Sequence, residues 1–208
     1  MTSTAPSSTR TRRKVLAVLA GGLVLGVGAA ITLAAWNDSE FATGTFTAGS
    51  FNLQGSTDGT TYGEHTTAPG APLTFSANFG NLTPGDSVYA SYWLQLDKNT
   101  TSPATVTPAL DATSGTGSNA SAISYKVYTV PSATVCDANV ATTGTLILSG
   151  ANLSTATGAT TFSLAKGTPP TTAGAAQKLC FVATAGTQAV LQQGQSGTAV
   201  WKFTATSN

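Results

Sequence analysis

The chain of 208 residues carries a net charge of +1, and only 8% of its residues are charged. That balance leaves no basic patch large enough to make nucleic-acid binding a main role. Thr, Ser, Gly and Ala dominate after position 40, yet clusters such as 88–96 and 200–203 supply aromatic and branched side chains for a core. An ordered β domain with a polar surface is therefore expected, not a disordered stalk.

The first element is a basic cluster, Arg10, Arg12, Arg13 and Lys14, followed by an uncharged tract over 15–35. A basic start, an apolar middle and small residues at the end describe a secretory signal. The tract is also long enough to span a bilayer as a helix, so an uncleaved anchor is the alternative. Thr32 and Ala34 place small side chains where a signal peptidase reads, which puts the cut between Ala34 and Ala35. The run Thr11-Arg12-Arg13-Lys14-Val15-Leu16 fits a twin-arginine signal as well as a plain secretory one.

Next come Thr32, Ala34, Ala35, Trp36, Asn37 and Asp38, then Thr45-Phe46-Thr47-Ala48-Gly49-Ser50-Phe51-Asn52-Leu53. This opening resembles the start of the TasA/camelysin family of exported bacterial proteins. Phe79-Gly80-Asn81-Leu82-Thr83-Pro84-Gly85-Asp86 is similar to that family's Pro-Gly-Asp turn, and 197–206, with Trp201 and Phe203, to its last strand. The resemblance covers both ends and the first third; roughly 100–190 is not matched. It departs from the family pattern in its cysteine pair and its low charge. It implies a SipW-type signal peptidase as a processing partner, a jelly-roll topology, and a subunit of an extracellular fibre or biofilm matrix that assembles by donor-strand complementation. Phe41, Phe46 and Phe51 would be the anchors of the donated arm. Before the cut, the segment 15–35 would hold that arm at the membrane and prevent assembly.

Strand signals recur through the rest of the chain. The stretch 45–54 alternates Phe46, Ala48, Ser50 and Asn52 on one face with Thr47, Gly49, Phe51 and Leu53 on the other. Leu73, Phe75, Ala77 and Phe79 share a face, as do Val88, Ala90, Tyr92, Leu94 and Leu96. Ile123, Tyr125 and Val127, then Leu179, Phe181 and Ala183, then Trp201 and Phe203, repeat the pattern. Period-two alternation marks half-buried strands, and Pro84-Gly85-Asp86 and Pro169-Pro170 fill breaks between them. About eight short strands without intervening helices predict an all-β protein, an antiparallel β-sandwich. Alternation alone does not separate a jelly roll from an immunoglobulin-like order. The domain plan is a signal peptide over 1–34 and one sandwich over 35–208, with a donor-strand arm over about 35–54.

Cys136 and Cys180 are the only cysteines. An even count in an exported domain points to a disulfide, against two reduced core cysteines as the other reading. Catalysis has little support. His65, the only histidine, sits in a polar loop-like stretch, and no Gly-x-Ser-x-Gly elbow or His-Glu-x-x-His helix is present. No catalytic, cofactor-binding or metal-binding residue is assigned, and no enzyme activity is expected. Asp58 and Glu64 as Ca²⁺ ligands are the weaker reading beside a turn aspartate and a solvated glutamate. Tyr89 and Trp93 share a face and could form a sugar-binding strip, although packing is the plainer role.

Two functions of different class follow. One is a secreted structural subunit whose partners are other copies of itself, joined head to tail. The other is a monomeric cell-surface module that binds a glycan or a protein. Both are extracellular or on the cell surface, with membrane contact only through an uncleaved signal.

Overall fold

The computed structural model describes residues 8–31, 39–76 and 80–208, with side chains over 9–23, 39–76 and 80–208. Two units make up the chain, Met1–Phe46 and Thr47–Asn208. In the first, helix α1 spans Ser8–Ile31 and exposes Val15, Leu16, Val18, Leu19 and Leu23. Among the described residues, no helix is long and apolar enough to cross a membrane. The expected cut between Ala34 and Ala35 lies outside the described residues.

The second unit holds eight strands among the described residues, as the alternation predicts. They are β1 (Leu53–Ser56), β2 (Ser87–Leu96), β3 (Ala104–Leu110), β4 (Ile123–Val130), β5 (Thr145–Gly150), β6 (Phe162–Leu164), β7 (Gln177–Ala185) and β8 (Trp201–Ser207). They form two antiparallel sheets, ordered β1-β2-β7-β4-β5 and β6-β3-β8. The protein is an all-β antiparallel sandwich. One four-residue helix, α2 (Val140–Thr143), and one 3-10 turn, Ala120–Ala122, interrupt the strands.

The core forms because each long strand sends every second side chain inward. In β2 these are Val88, Ala90, Tyr92, Leu94 and Leu96, all buried. In β7 they are Leu179, Phe181, Ala183 and Ala185. In β3 they are Ala104, Val106 and Pro108. Pro108 is tolerated mid-strand because its missing N–H points toward β6, which has already ended opposite Val106. The entry into β2 is a turn with Gly85 at φ +89° behind Pro84, the order a type II turn requires. The Asp86 carboxylate closes it, accepting from the Thr83 N–H (2.9 Å) and hydroxyl (2.7 Å).

A second, smaller apolar cluster lies on the outer face of the larger sheet. Tyr128, Val130, Val140 and Cys180 are buried there with Cys136 and Val182. The segment 131–144 lies over this face as a strap, and the Cys136–Cys180 disulfide ties it down. The bridge predicted from the cysteine count is present, and its class fits an oxidising compartment.

Two expected strands are corrected. Residues 45–52 form no strand; only a single bridge, Ser50 to Thr100, precedes β1. Residues 72–76 also form none, although Leu73 and Phe75 still pack against the core; Ala77 and Phe79 lie outside the described residues. In 72–76 the alternation reports partial burial, whereas residues 45–51 are all exposed.

Asn119 locks the loop before β8. It is buried, its amide donates to the Gln192 and Gln195 carbonyls (both 2.9 Å), and its oxygen accepts from the Gln192 N–H (2.7 Å). Asn119→Ala leaves three part-buried backbone groups without this partner, at about 1–3 kcal/mol for each group not reached by water. A fall in unfolding free energy of about 3 kcal/mol is expected by urea denaturation. Asn119→Asp, which turns a carboxylate oxygen toward both carbonyls at a buried position, should fall at least as far as Asn119→Ala.

Candidate functional site

β8 is an edge strand of the smaller sheet. Asp111 N–H bonds the Val200 carbonyl (2.8 Å) and Asn208 N–H bonds the Pro103 carbonyl (3.0 Å). With the register Leu110 to Trp201 through Ala104 to Ser207, the ladder to β3 uses the even-numbered residues of β8. Trp201, Phe203, Ala205 and Ser207 therefore aim their N–H and C=O groups away from β3. Among the described residues, no other strand pairs with β8. An unpaired edge of this length is a template for another strand.

The side chains behind that edge are aromatic and half-buried. The Trp201 ring meets Phe181 edge-on at 4.9 Å and Tyr125 at 5.5 Å. Phe203 lies 6.2 Å from Phe181 and 6.4 Å from Tyr92. Burial pushes the Tyr92 and Tyr125 phenols up, and the Trp201 indole opposes this at Tyr125. That influence falls short of hydrogen-bond geometry: the buried Trp201 Nε1–H has no acceptor among the described residues, and the Tyr125 hydroxyl donates instead to the Thr155 carbonyl (3.0 Å). Tyr92 also fixes what β1 can carry. Its hydroxyl fills the place of a Cβ at Gly55, so only glycine lets β1 lie over it.

The predicted anchors are solvent-facing. Phe41 is 92% exposed, Phe46 95% and Phe51 39%. The segment before β1 is held at its root by Thr100, which is fully buried. The Thr100 hydroxyl accepts from the Asn52 N–H (3.0 Å) and donates to the Asn52 carbonyl (3.2 Å). The Asp97 N–H donates to the same carbonyl (3.0 Å), and the Thr101 N–H to that of Ser50 (3.0 Å). Residues 39–49 have no regular structure.

The remaining sequence candidates do not converge. Asp58 closes its own turn, accepting from the Thr61 and Thr60 N–H groups (both 2.7 Å) and from the Ser56 hydroxyl (2.8 Å). Those bonds, the Thr61 N–H first, hold its carboxyl well below the usual carboxylate range. Glu64 instead accepts from the Asn52 side chain (2.8 Å). The two acids thus serve separate local networks. Among the described residues, no group of three or more His, Cys, Asp or Glu side chains could hold a metal ion. His65 is exposed. Trp93 is not an open platform: Gly59, at φ +74°, packs on its ring, and the Lys178 ammonium sits 5.0 Å from its centre.

No known protein family matches this chain, and no curated protein is significantly similar to it.

Proposed function

We propose that this protein is a secreted structural subunit that assembles head to tail by donating its N-terminal arm to the β8 edge of the next copy. One observation carries the reading. A jelly roll pairs its first strand with its eighth, second with seventh, third with sixth and fourth with fifth. Here β2 pairs β7, β3 pairs β6 and β4 pairs β5, while β1 lies beside β2 and leaves β8 open. The one vacant pairing of a jelly roll is the one an incoming strand would complete.

The arm supplies what that vacancy lacks. Residues 45–52 alternate like a strand, and among the described residues their one bridge is Ser50 to Thr100. A strand laid along β8 gains a ladder to Trp201, Phe203, Ala205 and Ser207. Burying Phe46 would stabilise the contact by about 1.5–3 kcal/mol, and covering the 39% of Phe51 that is still exposed would add less. Ladder bonds add about 0.5–1.5 kcal/mol apiece. Together these are comparable with an association cost of about 4–15 kcal/mol, so each anchor matters. Arm and edge are different surfaces, and contacts of that kind propagate into filaments when they do not close into rings. The resemblance of the opening residues to the TasA/camelysin family supports the same assembly and implies a SipW-type peptidase that cuts at Ala34–Ala35 to release the arm. The reading includes no catalytic step.

The test is a Phe46→Ala, Phe51→Ala double variant of the form that begins at Ala35. It should stay folded, with at most a modest loss in unfolding temperature from Phe51, which is 39% exposed beside 95% for Phe46, yet sediment as monomer where the parent forms fibres. Fibres of equal yield from both proteins would exclude these anchors. A parent that never assembles would favour the monomeric surface module.

A further inference from the structure

We infer that the cavity between the strap 131–144 and the segment 57–76 is a binding site for a sugar acid, with Lys178 reading the carboxylate. The inference stands apart from the fibre reading, since this cavity lies on the outer face of the larger sheet and the β8 edge on the smaller one. The cavity measures about 410 Å³, within the range of small-molecule sites. Its floor is Tyr89, Ser91 and Lys178; Thr57, Thr74 and Thr134 are among its walls.

Lys178 is the unusual member. It is a lysine in an otherwise uncharged strand, and only 9% exposed. Its ammonium donates to the Thr134 carbonyl (2.7 Å) and lies over the Trp93 ring. Among the described residues it has no ion pair, and burial pulls its pKa down with no acid opposing this. A buried charge without a counter-ion is costly, and an apolar side chain would cover Trp93 at less cost. Lysine has three donors, and one carbonyl leaves two for a ligand.

The surroundings specify the ligand's class. One ammonium matches a single carboxylate better than a phosphate dianion. The hydroxyls of Thr57, Thr74, Ser91 and Thr134 suit a polyhydroxylated ring, and Tyr89 offers an aromatic face beside them. A hexuronic acid has both features. It can come free or as a unit of an acidic polysaccharide.

Calorimetry and amide chemical shifts of the full chain, titrated with glucuronate, glucose and a tetramer of hexuronic acid, test this. Glucuronate should bind at least tenfold more tightly than glucose and shift the amides of Tyr89, Ser91 and Thr134. A tighter tetramer assigns the polysaccharide; equal affinities assign the free acid. Lys178→Met should lose at least tenfold in glucuronate affinity. Because that change also removes the bond to the strap, Thr74→Trp provides the second arm, filling the cavity from an exposed position. It should abolish binding with an unchanged melting temperature. Equal binding of glucuronate and glucose, no saturable shift with any probe, or full affinity in Thr74→Trp would overturn the inference and leave Lys178 as a clamp for the strap.

Discussion

Removing the bridge by Cys136→Ser with Cys180→Ser is expected to lower the unfolding free energy by about 4 kcal/mol. The estimate follows from the loop the bridge closes, whose ends are 44 residues apart, in the chain-entropy account of cross-links. Local structure should report the same loss. The strap 131–144 is held to the outer face by the bridge, the small cluster around Tyr128, Val130 and Val140, and the Lys178–Thr134 bond. Without the bridge, amide exchange across 131–144 should accelerate more than across β2 or β7. Urea denaturation of the oxidised parent and the double serine variant gives the global number. A difference below about 1 kcal/mol would mean that the unfolded chain is already restricted in this region.

Phe181→Ala should cost about 3–5 kcal/mol, the usual price of emptying a buried aromatic site. The ring is 2% exposed and lies under both aromatics of β8, with Trp201 at 4.9 Å and Phe203 at 6.2 Å. Neither neighbour can collapse into the space without pulling β8 from its register with β3. The variant should therefore lose protection in β8 before β2 or β4. Trp201→Phe should cost clearly less, because it also removes a buried N–H that has no acceptor. Thermal denaturation of both variants would check the ranking, and equal losses would contradict it.

How legible the protein is from sequence differs by element, for physical reasons. β2 and β8 read clearly because each alternates without interruption, whereas β4 and β7 keep a legible inner face while the strap buries part of their outer face as well. β3 does not, since its run Ala-Thr-Val-Thr-Pro-Ala-Leu is weakly apolar and a proline sits in it; only the register shows why that proline is tolerated. β5 defeats period-two reading because Ile147 and Leu148 are both buried, opposite a register shift between Val127 and Tyr128. The stretches 45–52 and 72–76 alternate like strands but form none. Alternation records which side chains seek cover, whereas pairing depends on an available edge. The disulfide followed from the cysteine count, but its purpose, fastening a strap over the outer sheet face, is tertiary. Lys178 left one signal, a lone charge within Gln-Lys-Leu-Cys-Phe-Val-Ala-Thr-Ala, which turns into a site only once Thr134 and Trp93 are beside it.

The vacancy at β8 is tested most directly by Ala205→Pro in the form that begins at Ala35. The Ala205 N–H points away from β3, so proline removes a donor from the free edge and spares the ladder, as edge strands allow. Thr204→Pro, one residue earlier, instead breaks a bond to β3 and should unfold β8. Sedimentation velocity and negative-stain microscopy at matched concentration, with circular dichroism to confirm folding, would compare Ala205→Pro with the parent. Folded, monomeric Ala205→Pro beside a fibrous parent is the predicted result. Fibres from Ala205→Pro as abundant as the parent's would contradict the assignment of β8 as the acceptor edge.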